Sequence, residues 1–88
     1  MTTGAALSRC PERVEVTVRG RVVEALPNQL GGRLTILLLA DGETVLCASE
    51  GIIGRPGDVV RAFGIYQGTG PGDVRHLLHC NDSACVSE

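Results

Sequence analysis

The sequence predicts an all-β domain in which five short strands close into a small barrel. Three observations carry that expectation. Apolar and polar residues alternate over several stretches, turn-forming residues recur about every ten positions, and no segment has the length or periodicity of a substantial helix. A flat sheet of such strands would leave long apolar edges unpaired, and closure into a barrel removes them.

The size agrees with one domain. A chain of 88 residues buries only about 60–65% of the surface it exposes when unfolded, so almost every apolar strand residue must serve the core. With 43% hydrophobic and 20% charged residues, the chain is too apolar for a disordered segment. The longest apolar run, Ile36-Leu37-Leu38-Leu39-Ala40, falls far short of the roughly 18 residues a membrane span requires. Met1 to Arg9 lacks the basic start and apolar stretch of a secretory signal, so a soluble, cytoplasmic protein is expected, with no membrane partner.

Residues 1–11 read as a flexible arm ending at Pro11. From Arg13 to Arg19 the chain alternates, with Val14, Val16 and Val18 on one side, the period of a half-buried strand. Gly20 interrupts the pattern and Val22-Val23 breaks it, which predicts a bulge or coil that lets the first strand serve both sides of a barrel. Pro27 to Gly32 is a loop. Leu34–Ala40 and Glu43–Ala48 then form a hairpin around Asp41-Gly42, residues suited to the positive φ angles of a type I′ turn. Gly51 to Asp58 is too rich in Gly and Pro for more than one helical turn, which would sit at Ser49 to Ile53. Val59–Tyr66 is the fourth strand, Gln67 to Gly72 a loop, Asp73–Cys80 the fifth strand, and Asn81 to Glu88 a polar tail in which Cys85-Val86 could dock. A long coiled first strand, a tight hairpin and a larger connection to the fourth strand specify the OB-fold Greek-key barrel over residues 12–80. An SH3-like barrel is the alternative.

The formal net charge of -2 argues against a protein that holds nucleic acid by bulk charge. All eight basic residues are nonetheless Arg. That usage fits compositional bias, and it also fits the planar fork that Arg offers to phosphates and base edges. Of the four cysteines, Cys47 lies in an apolar run, where an inert thiol is expected. Cys80 and Cys85, with His76 and His79 upstream, lack the second tight pair of a structural zinc site. No metal and no cofactor are expected, and the pattern leaves zinc at Cys80 and Cys85 open.

The segment Gly20-Arg21-Val22-Val23-Glu24-Ala25-Leu26-Pro27-Asn28 resembles the smallest bacterial translation initiation factor, a family of lone OB domains. The likeness continues through Leu39 to Leu46, Pro56 to Val60, and Tyr66. It implies a barrel on the small ribosomal subunit that contacts ribosomal RNA through basic residues. Val16 to Val22, the Asp-Gly hairpin and Pro56 to Gly64 are similar to OB domains of the replication protein A and tRNA-anticodon-binding type. That resemblance implies single-stranded nucleic acid as partner, or a subunit-interaction role.

OB domains bind ligands on the outside of strands two and three. Alternation assigns to that rim Arg19, Arg21, Arg33, Thr35, Thr44, Arg61, Phe63, Tyr66 and Arg75. Cations that track a backbone and a ring that stacks on bases are what single-strand binding needs. Phe63 can equally be core, Tyr66 beside the Gly-rich loop is better placed for stacking, and one of His76 and His79 packs inward. No catalytic residue is expected. Cys80 and His79 point to opposite faces, and Asp41, Asp58 and Asp73 sit in turns where they serve backbone amides. The function expected is a nucleic-acid-binding OB module for single-stranded or structured RNA or DNA. The alternative is a protein-interaction module that uses a strand edge or outer leucines on strand two, assigned by the same alternation to Leu37 and Leu39.

Overall fold

The computed structural model describes residues 1–70 and 74–88. Pro71, Gly72 and Asp73, expected in the last loop and at the start of the fifth strand, lie outside the described residues. The elements are α1 (Gly4–Leu7), β1 (Glu15–Pro27), β2 (Arg33–Leu39), β3 (Thr44–Ser49), β4 (Val59–Tyr66), β5 (Leu77–Cys80), a 3-10 turn at Asp82–Ala84, and β6 (Val86–Ser87). The sheet order is β1-β2-β3-β5-β4-β6, and β1 also pairs with β4, which closes five strands into a barrel. All pairings are antiparallel except β3 with β5. This is the OB-type connectivity expected from the spacing of the strands.

The double duty of β1 is visible in its register. Glu15 to Arg21 pair with β4, and Gly20 to Pro27 pair with β2, so Gly20 and Arg21 bond on both sides. A Cβ on Gly20 would lie 2.8 Å from the Leu38 carbonyl oxygen. A side chain there would push apart strands that must approach closely where β1 coils. The bulge falls two residues later, between Val22 and Glu24.

The β2–β3 hairpin forms as expected, but its turn is not type I′. That type needs positive φ at both central residues. Only Gly42 adopts it, at 87°. Gly42 donates to the Leu39 carbonyl at 3.0 Å and Leu39 to the Glu43 carbonyl at 2.8 Å, a three-residue loop closed by a glycine bulge. Asp41 is therefore free to keep an ordinary backbone and use its carboxylate. One oxygen accepts from the Glu43 amide at 3.2 Å, the other from the Ala5 amide at 3.0 Å.

That second bond helps anchor the N-terminal segment. The stretch read as a flexible arm carries α1, capped by the Thr3 hydroxyl, and its Leu7 is fully buried. Leu7 and Ile53, from the β3–β4 connection, join a core of Val16, Val18, Val22, Leu37, Leu39, Val45, Val60 and Leu78. Val14, expected inside, is exposed, because it precedes the first paired residue of β1. The tail also docks: β6 pairs with the beginning of β4, Ser87 opposite Val60 and Val86 opposite Arg61. Among the described residues no helix is long and apolar enough to cross a membrane.

Candidate functional site

On β2 the alternation runs opposite to the expected phase. Thr35 is 1% exposed and points inward with Leu37 and Leu39. Leu34, Ile36 and Leu38 face outward. Antiparallel partners share a face, so the register extends this outer surface across the sheet. Leu26, Leu34 and Ala48 form one row, Ile36, Leu46 and Leu77 the next, and Leu38 lies between Arg21 and Thr44. Leu38 and Leu26 are each 39% exposed, and Leu34, Ile36, Leu46 and Leu77 are half-buried. The outside of β2, β3 and β5 is thus an aliphatic surface with Arg21 and Glu24 at its edge.

The fold keeps Arg19, Arg21 and Arg61 of the expected nucleic-acid rim close together on β1 and β4 and does not bring all of its other members to them. Tyr66 is 5% exposed and belongs to the core, so its ring is not a stacking platform. Burial, and the neighbouring Cys10 and Glu12, push its phenol above the ordinary value of 10.0. Thr35, buried, does not reach the rim either. Phe63 is half-buried on the outside of β4, but the cleft beside it is bordered by Glu15 and Glu50. Carboxylates there oppose a phosphate backbone.

The arginines are exposed as expected, but among the described residues three of them already hold carboxylates. Glu88 takes Arg19 at 2.6 Å and Arg61 at 2.9 Å, and Glu43 takes Arg75 at 3.2 Å. Among the described residues no carboxylate lies within ion-pair distance of Arg21 or Arg33, and these two are separated by most of the length of β2, as Arg21 pairs with Leu38 and Pro27 with Arg33. Arg19 and Arg21 do project together, lining one shallow cleft with Leu38 and Val59. Thr44 is exposed at the end of the Leu38 row.

His76 packs inward and His79 outward, as their spacing implied. The Nδ1 of the inner one lies 3.0 Å from the Tyr66 hydroxyl, and its buried Nε2, 3.9 Å from Glu43, has no hydrogen-bond partner among the described residues. Cys47 is buried, and its contact with Cys80 and its loss of solvent hold its thiol well above the ordinary value of 9.0, which suits an inert core residue. Among the described residues no three His, Cys, Asp or Glu side chains gather where they could hold a metal ion.

The residues that sequence reasoning missed are the outward Leu34, Ile36 and Leu38, with Leu46 and Leu77, and the tail carboxylate of Glu88. Ile36 to Leu39 is uniformly apolar, so no alternation in the sequence marked which of these residues face outward. Comparison of the chain with models of protein families, with curated proteins and with solved structures returned no match.

Proposed function

We propose that this OB barrel is a protein-interaction module that packs the outer face of β2, β3 and β5 against an aliphatic surface of a partner protein. The observation that carries the reading is the outward row Ile36–Leu46–Leu77, flanked by Leu26, Leu34 and Leu38, on the face where OB domains bind. An aliphatic centre edged by charges of both signs, Arg21 beside Leu38 and Glu24 beside Ile36, has the anatomy of a protein interface, not of a phosphate track. Contiguous apolar surface on a small domain is costly unless something covers it. The inward Tyr66 and Thr35, the occupied Arg19, Arg61 and Arg75, and the net charge of -2 weigh against single-stranded nucleic acid or ribosomal RNA as the ligand. Cys10, Cys47 and Cys80 stand as thiols, which suits a reducing compartment such as the cytoplasm.

The test pairs two measurements. Cross-linking in native cells should trap the same partner with the wild-type chain and with Arg33→Ala, and lose it with Leu26→Glu and Leu38→Glu, whose positions are exposed. Titration with short single-stranded DNA and RNA at two salt concentrations should show no binding. Tight, steeply salt-dependent binding that Leu26→Glu and Leu38→Glu leave unchanged overturns the reading in favour of nucleic acid.

A further inference from the structure

Arg19 and Arg61 sit directly opposite each other on β1 and β4. Like charges in that relation repel, and an anion set between them offsets the repulsion. In this molecule the anion is the chain's own Glu88. Its Oε2 lies 2.6 Å from Arg19 Nε and its Oε1 lies 2.9 Å from an Arg61 terminal nitrogen, one carboxylate oxygen to each arginine. The segment that delivers it is slight. β6 is two residues long, follows a 3-10 turn, and leaves Val86 57% exposed. It is held by backbone pairing along Val59–Arg61, including the Glu88 amide to the Val59 carbonyl at 2.7 Å. Exposed ion pairs add little, and a strand that buries so little apolar surface is held weakly.

We propose that the edge of β4 at Val59–Arg61, with the Arg19–Arg61 fork beside it, is a docking site for an extended acidic segment of a partner protein, and that Val86–Glu88 fills it as a displaceable plug. The plug itself displays the binding chemistry. An incoming strand adds to the β4 edge through its main chain, the recognition mode of strand addition, and sets one carboxylate between two guanidinium groups. Arg21 strengthens the preference for acid. It lies opposite Val59 on the same outward row as Glu88, and among the described residues no carboxylate lies within ion-pair distance of it. Displacement of Val86 to Glu88 forfeits little burial of their own side chains, because all three residues are exposed.

The test uses the full chain and a fluorescent peptide with the sequence of residues 81–88 carrying Cys85→Ser. An intramolecular plug lowers the apparent affinity of a competitor by the fraction of molecules that are open. Glu88→Gln should therefore bind the peptide roughly tenfold more tightly than the wild type. Adding Arg19→Gln and Arg61→Gln to that variant should abolish the gain, as should a peptide whose final Glu is replaced by Gln, an arm that leaves the protein untouched if the arginine variant is unstable. In the wild-type chain, saturating peptide should shift the amide resonances of Val59 to Arg61 and of Val86 to Glu88 together. Equal affinity for wild type and Glu88→Gln overturns the proposal, as does binding indifferent to the peptide carboxylate. A single-stranded oligonucleotide that moves the same amides assigns the fork to phosphate instead and overturns it. A concentration-dependent dimer that Glu88→Gln dissolves assigns the edge to a second copy, and likewise overturns it.

Discussion

The Tyr66 hydroxyl and Nδ1 of His76 lie 3.0 Å apart inside the barrel, their rings 5.9 Å between centroids. It is a buried polar pair, and each partner lacks solvent to fall back on. Among the described residues the Nε2 of this imidazole has no hydrogen-bond partner, so Tyr66→Phe also takes away the bond at Nδ1, at a cost of about 1–3 kcal/mol. Urea unfolding of Tyr66→Phe should show that loss. Replacing both residues by Phe should recover much of it, because an apolar pair owes no hydrogen bonds. Equal stabilities for Tyr66→Phe and the wild type would mean that the pair contributes nothing.

The same burial makes the single tyrosine a spectroscopic reporter, since the chain has no Trp. Burial, then Cys10 and Glu12, raise the phenol above 10.0 in the folded state. The unfolded phenol ionises first as pH rises, so the unfolded state then binds fewer protons than the folded one. Stability contributed by neutral Tyr66 is present below 10.0 and lost as pH climbs through and beyond it. Phenolate absorbance should rise late and together with loss of the far-ultraviolet strand signal. A phenol that ionises near 10.0 with the barrel intact would contradict the burial.

At the acid end two exposed carboxylates act in the opposite sense. The Arg19 hydrogen bond holds Glu88 below its ordinary 4.5, and the Ala5 amide holds Asp41 below its ordinary 3.8. Folded values lower than unfolded ones give stability that is present above the ordinary values and lost as pH falls through the folded ones. Thermal melts between about pH 5 and pH 2 should therefore decline, and the decline should flatten in Asp41→Asn with Glu88→Gln. Amide signals of Ala5 and Val59 should broaden first, since the N-terminal turn and β6 are released before the barrel. Simultaneous loss of all amides would show that neither carboxylate acts locally.

Gly20 gives a sharper test of the barrel itself. The Cβ of Gly20→Ala would meet the Leu38 carbonyl oxygen at 2.8 Å, a backbone atom that cannot swing aside. Separating β1 from β2 where β1 also pairs with β4 should cost about 1–3 kcal/mol, as overpacking does. A thermal melt is sufficient to read it: a drop of about 4–8 °C per kcal/mol is expected for a domain of this size. Unchanged melting would place the coil of β1 elsewhere.

The strands were legible because each carries its own punctuation. Asp41-Gly42 marks a hairpin whatever its turn type, and Gly20 with Val22-Val23 announces that β1 changes partners. The end-on details were not legible. Leu7 lies in an arm whose apolar residues show no strand period, and the segment around it meets the barrel through the Ala5 amide and the Asp41 carboxylate, residues far apart in the chain. Nor could Glu88 be matched to Arg19 and Arg61, since only barrel closure brings the three together. Tyr66 beside a glycine-rich loop suggested exposure, but the strict alternation of β4 places it inward with Val60 and Ala62.

The phase of β2 was illegible for a different reason, and it is open to direct measurement. From Ile36 to Leu39 every residue is apolar, so alternation has no contrast, and Thr35, the polar residue next to that run, suggested the wrong face. The register resolves it: Leu37 pairs with Val22 and Val45 inside, and Leu38 with Arg21 and Thr44 outside. Leu37→Ala should then cost about 2–5 kcal/mol, the price of an internal cavity. Leu38→Ala, which opens no cavity, should fall within about 0.5 kcal/mol of the wild type. Two adjacent leucines of identical chemistry differ only in the side of the barrel they face, so the contrast between their unfolding midpoints measures the phase directly. Equal losses, or a larger loss at Leu38, would invert the face and with it the aliphatic surface proposed for the partner.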